Sequence, residues 1–297
     1  MPKFPGVYVA TITPFTNDYE VDYRGLHDHV NWLIEQGVHG IIPTGSLGEY
    51  ATFSSEERAK VIETTIEAAA GRVPVVVGSA APSTKQATDW VRFSMEKGAA
   101  GVMALPPINY KANEAEVIAH YQAIANVGLP VIVYNNPHDY PIDLTPRVLK
   151  KLAEFDNIVA VKEFSGDIRR MHDVIRETNL EVLVGVDDLA LEGAIAGATG
   201  WIAGFVNAMP RESVDVFEWA QQGKLPEALE LFRRLVPLFH YDAGPRLVQA
   251  IKYTMELIGR PVGPCRPPRL GLTPEEEVAI KAAFDYATKS NLAISAN

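Results

Sequence analysis

Lys162 stands at the carboxyl end of the run Ile158-Val159-Ala160-Val161-Lys162-Glu163. A run this short, apolar and β-branched reads as a buried strand. With a side-chain period of two, Ile158, Ala160 and Lys162 share one face. If that face lines a closed barrel, the ammonium enters a low-dielectric space past the small Ala160. Its pKa then falls and a neutral amine becomes available as a nucleophile. A strand-end lysine more commonly extends to solvent along its aliphatic stem, so its neighbours must select between the readings. Tyr134 ends an earlier run, Val133-Tyr134-Asn135-Asn136-Pro137, and shares a face with Ile132. Alone it would be a packing residue. One βα unit before an inward lysine, it reads as the acid/base partner of a nucleophile.

Three further strand ends carry residues that need explaining. Pro43-Thr44-Gly45-Ser46-Leu47-Gly48-Glu49 places two glycines around a serine, a pattern that folds tightly and aims N–H groups inward as a small anion nest. An ordinary glycine-rich turn is the plainer reading. Gly185-Val186-Asp187-Asp188 offers acids for a substrate hydroxyl, although helix capping by Asp188 explains them equally well. Gly200-Trp201-Ile202-Ala203-Gly204 has small residues that leave room at a barrel mouth.

The elements that must position these residues alternate from end to end. Strands are predicted at 6–12, 40–43, 73–78, 101–105, 130–135, 158–163, 181–185 and 200–204, with helices at 21–36, 54–70, 83–97, 114–126, 145–154, 168–177, 189–196 and 211–221. Ser54 before Glu56-Glu57 and Thr145 before Pro146 supply helix starts, and Gly37 and Gly98 supply stops. Eight βα units predict a TIM (β/α)8 barrel over residues 1–222, whose active site lies at the carboxyl ends of the strands. A doubly wound sheet is the alternative, but no Gly-x-Gly-x-x-Gly follows the first strand. Residues 223–297 add amphipathic helices at 226–239, 246–258 and 274–289, a C-terminal helical extension packed on the barrel as part of one domain. The proline-rich stretch 259–268 interrupts it, and Arg266-Pro267-Pro268-Arg269 reads as a rigid surface turn.

Composition narrows the function classes. With 47% hydrophobic and 22% charged residues the chain suits a soluble globular enzyme. A net charge of -10 argues against nucleic acid and anionic membranes as partners. Cys265 is the single cysteine, which excludes an intrachain disulfide; with no signal-peptide pattern at the start, a cytoplasmic location is expected. His27 and His29 do not share a helix face, so no metal site is expected.

In order and spacing, Gly45-Ser46-Leu47-Gly48-Glu49, Tyr134-Asn135-Asn136-Pro137 and Val161-Lys162-Glu163-Phe164-Ser165-Gly166-Asp167 resemble the dihydrodipicolinate synthase / N-acetylneuraminate lyase family. Thr11-Ile12-Thr13-Pro14-Phe15 and the Gly-Val-Asp-Asp at 185–188 extend the match over nearly the whole chain. The resemblance implies a cofactor-free (β/α)8 lyase, assembled as a dimer or tetramer, whose Lys162 forms a Schiff base with a small 2-oxo acid such as pyruvate. Tyr134 would transfer protons, and Ser46 and the backbone at Leu47 would hold the substrate carboxylate. Gly185, Asp187, Asp188 and Gly204 are candidates for the rest of the substrate. Three positions depart from the family's synthases. Leu47 replaces a relay threonine, Ile108 stands where a tyrosine is expected, and Asp139 replaces an arginine that meets a second carboxylate. They lead us to expect little 4-hydroxy-tetrahydrodipicolinate synthase activity. Asp242-Ala243-Gly244-Pro245, with the motifs above, instead resembles members acting on Δ1-pyrroline-4-hydroxy-2-carboxylate as a deaminase. The rival from another class is a non-catalytic 2-oxo acid binding or regulatory barrel.

Overall fold

The structure, a computed structural model, describes residues 3–289; the final part of the expected extension, 290–297, lies outside the described residues. The strands are β1 (Gly6–Ala10), β2 (Gly40–Ile42), β3 (Val76–Gly78), β4 (Gly101–Ala104), β5 (Val131–Asn135), β6 (Ile158–Glu163), β7 (Glu181–Val184) and β8 (Gly200–Ala203). They pair in parallel in the order β2-β1-β8-β7-β6-β5-β4-β3. A parallel bridge between Ile41 and Val75 brings the two ends of that sheet together. Each strand is followed by a helix: α1 (Tyr23–Glu35), α2 (Ser55–Ala69), α3 (Thr84–Glu96), α4 (Glu114–Ala125), α5 (Pro146–Leu152), α6 (Ile168–Glu177), α7 (Ala190–Ile195) and α8 (Pro210–Gln221). This is the (β/α)8 barrel that the alternation predicts.

Local chemistry sets the boundaries. Ser54 accepts from the Glu57 N–H while the Glu57 side chain reaches back, a full capping box that starts α2. Gly37 and Gly98 take positive φ, as expected of helix stops. The Thr145 side chain makes no capping bond, so Pro146 alone marks the start of α5. The first strand ends earlier than 12 because Ile12 N–H donates to the Asn207 side chain rather than to a neighbouring strand. The short α7 follows a 3-10 turn at Asp187–Leu189.

Helices α9 (Leu225–Phe239), α10 (Leu247–Leu257) and α11 (Pro274–Thr288) follow the eighth unit. Trp201 of β8 is fully buried and meets Phe239 of α9 edge-on at 5.6 Å, which ties these helices to the barrel wall. No helix among the described residues is long and apolar enough to cross a membrane.

Candidate active site

A cavity of about 320 Å³ opens at the carboxyl end of the barrel, with Lys162 and Tyr134 in its lining. The register of β5 against β6 pairs Ile132 with Ala160 and Tyr134 with Lys162, so the strands deliver both side chains to one level. Lys162 and Tyr134 are each only 6% exposed. The lysine Nζ sits 4.4 Å from the Tyr134 ring centroid and 5.5 Å from that of Phe164. Burial lowers the Lys162 pKa, against the opposing pull of Asp242, Asp187 and Asp139. Burial also holds the Tyr134 phenol well above its ordinary value, so it stays protonated. Its oxygen accepts from Asn136 Nδ2 at 3.1 Å, which leaves its own proton directed elsewhere.

The residues after β2 build the opposite wall. Gly45, Ser46 and Leu47 line the cavity. Thr44 and Glu49 bracket them with φ of 57° and 60°, left-handed conformations that non-glycine residues adopt only when the surroundings enforce them. Glu49 supplies that enforcement. Its buried carboxylate pairs with Lys252 Nζ at 2.9 Å and accepts the Arg266 N–H at 3.0 Å. Gly48 is required because a Cβ there would lie 2.8 Å from the Thr11 carbonyl. Among the described residues the backbone N–H groups of Ser46 and Leu47 donate to no protein acceptor, as an anion nest requires.

The acids after β7 occupy other places than expected. Asp187 is fully buried beneath the site, where its carboxylate accepts from Trp201 Nε1 (3.0 Å), Gly204 N (3.1 Å) and Phe205 N (2.7 Å). Asp188 faces away and meets His240 Nδ1 at 2.9 Å. Gly185 packs against the Glu163 carbonyl, where a Cβ would come within 2.7 Å. None of the three lines the cavity, whereas Gly204 does. Asp187 therefore ties β7 to the end of β8. Asp187→Ala leaves three buried N–H donors unpaired, and at about 1–3 kcal/mol each a loss of roughly 3 kcal/mol or more is expected. A denaturant midpoint close to that of the unaltered protein would refute this role.

Glu163 also proves structural: it accepts from Asn135 Nδ2 and the Ser165 N–H, while Asn135 Oδ1 receives the Leu144 N–H.

Sequence reasoning missed three cavity residues. Tyr140 Oη lies 2.6 Å from Ser46 Oγ, a pairing of residues 94 positions apart that no local pattern signals. Asp242, whose tetrapeptide the resemblance had marked, lines the cavity from the segment after α9. Arg269 reaches the cavity from the stretch read as a surface turn. Its neighbour Arg266 is held by Glu57 and lies over the Phe15 ring at 4.6 Å, so that turn is docked on the barrel. Tyr110 is 54% exposed and, like Ile108, takes no part in the lining.

Comparisons with known proteins give the family and the fold. The model of the dihydrodipicolinate synthetase family matches residues 3–287. The 4-hydroxy-tetrahydrodipicolinate synthase of Methanospirillum hungatei is 37% identical over 273 residues, covering 89% of this chain and 93% of that one. The enzyme of the same name from Methanocaldococcus jannaschii is 34% identical, covering 92% and 95%. Among solved structures, the dihydrodipicolinate synthase of Aquifex aeolicus superposes with a TM-score of 0.91 at 30% identity, covering 95% of this chain and 97% of that one. That of Bacillus anthracis superposes at 0.92 with 28% identity, covering 98% and 100%. The chain belongs to the dihydrodipicolinate synthetase family and is a lyase of the class I Schiff-base type.

Proposed function

We propose that this lyase binds a small 2-oxo acid, or the cyclic imine of one, as a Schiff base on Lys162, and that its preferred substrate carries a hydroxyl. The juxtaposition of Lys162 and Tyr134 inside one cavity carries the reading. Neutral Lys162 attacks C2 of the substrate. Tyr134 gives its proton to the departing carbinolamine hydroxyl and takes one back from C3. Ser46 and the free N–H groups at Ser46 and Leu47 orient the carboxylate. Asp139 and Asp242 place carboxyl groups on the far wall, hydrogen-bond partners for hydroxyl or amino substituents. Δ1-pyrroline-4-hydroxy-2-carboxylate, whose ring opens once the lysine has attacked, fits that wall. We extend to this chain the cofactor-free and homo-oligomeric habit that the resemblance implies, and the cytoplasmic location expected from its single cysteine. Non-catalytic binding would not call for a buried amine.

A second reading, 4-hydroxy-tetrahydrodipicolinate synthesis, has specific support. The relatives above carry that name. Arg269 offers a cation for a second carboxylate, and the Tyr140 hydroxyl beside Ser46 offers the relay that Leu47 and Ile108 lack. The departures at Leu47, Ile108 and Asp139 therefore do not count against it as the sequence alone suggests. Initial rates at matched concentrations separate the two. We expect faster turnover of the hydroxylated substrates than of pyruvate with aspartate semialdehyde. A synthase kcat/KM above ~10⁴ M⁻¹s⁻¹, with nothing on the hydroxylated compounds, would establish the second reading instead.

A further inference from the structure

Asp242 is the one buried carboxyl in the cavity lining among the described residues; the other acid there, Asp139, is exposed and engaged by Asn136 Nδ2 at 2.8 Å. It comes from the segment between α9 and α10, outside the eight βα units, and is 4% exposed. One oxygen, Oδ2, accepts the Asp187 N–H at 2.9 Å, which fixes the carboxyl plane. The other, Oδ1, turns toward Gly204, where a Cβ would come within 2.9 Å, and makes no hydrogen bond to a described residue. Only a glycine at 204 leaves that oxygen open to the cavity. Lys162 and Asp242 line the same cavity without forming an ion pair. A substrate bonded to Nζ would occupy the cavity that Asp242 also lines. Burial and the nearby Asp187 hold the Asp242 carboxyl above the usual carboxylate range, which favours its protonated form.

We infer that Asp242 is the general acid that protonates the group leaving from C4 of the lysine-bound substrate. This rests on the Schiff-base reading above. Once C3 has lost its proton to Tyr134, the enamine nitrogen pushes its electron pair toward C4. A C3=C4 double bond forms as the C4–O bond breaks. The Asp242 proton passes from Oδ1 to the departing oxygen, water leaves, and Asp242 remains as a carboxylate beside the conjugated iminium. Water that later hydrolyses the iminium returns the proton. Without the acid, hydroxide would have to depart into a site with little solvent, which is the barrier a positioned carboxyl removes.

Asp242→Asn tests the assignment, because the amide oxygen still accepts the Asp187 N–H but the side chain has no proton to give. Pyruvate has no leaving group, so borohydride should still trap its adduct on Lys162. Elimination from a 4-hydroxy-2-oxo acid should fall by roughly 10²–10⁴. Fluoride release from the 4-fluoro counterpart should fall by less than about tenfold, since fluoride departs without full proton transfer. A merely structural aspartate would reduce both substrates alike. Equal losses, an unchanged hydroxyl rate, or loss of the pyruvate adduct in the variant would each overturn the role of Asp242. Absence of any adduct in the unaltered enzyme would instead remove the Schiff-base reading, and this assignment with it.

Discussion

Lys162→Arg abolishes turnover and borohydride trapping together. Arginine keeps the charge and much of the length, but its guanidinium stays protonated and cannot form an imine. In enzymes with a covalent nucleophile, loss of that group lowers kcat by roughly 10⁴–10⁶, and a drop of that order is expected here. In the unaltered enzyme, borohydride during incubation with pyruvate or the true substrate inactivates irreversibly. The mass rises by one reduced adduct, on the peptide containing Lys162. The grounds are structural: an amine 6% exposed, set against two aromatic rings, is pushed toward its neutral form by burial. An adduct on another lysine, or trapping that survives in Lys162→Arg, would refute the mechanism.

Tyr134→Phe lowers turnover by roughly 10²–10⁴, the range for a lost general acid or base, while the fold is retained at a stability cost of about 1–3 kcal/mol, that of one unpaired buried donor. The ring itself is retained, and with it the contacts to Lys162, Tyr140 and Phe164. Removal of the hydroxyl leaves one Asn136 Nδ2 hydrogen without its acceptor, while the other still donates to Asp139 at 2.8 Å. The expected signature is slower formation of the Lys162 adduct, since the carbinolamine hydroxyl must leave without its proton source. Single-turnover trapping with pyruvate measures this directly. A variant that forms adduct and product at the original rate would reduce Tyr134 to a packing residue.

What the linear chain determined is local and periodic. Strand alternation placed Ala160, Lys162, Ile132 and Tyr134 on inward faces, because a period of two leaves a side chain only two directions. Eight apolar runs alternating with amphipathic segments prescribed the barrel, since parallel neighbours need crossover helices. The glycines at 45 and 48, with Ser46 between them, announced a tight polar turn. Tertiary structure decided what depends on distant contacts. The acids at 187 and 188 looked like substrate ligands from their strand-end position. Whether a carboxylate meets substrate or backbone depends on which N–H groups surround it, and for Asp187 those come from residues 201, 204 and 205. Tyr140, Asp242 and Arg269 carried no periodic signal. They reach the cavity because the loop after β5 folds over Ser46 and the helices beyond α8 dock across the barrel mouth. The left-handed turn at Glu49 likewise depends on Lys252 and Arg266, more than 200 residues away in sequence, whose charges hold the acid buried. Alternation selects which side chains point inward; only the closed fold determines what they meet there.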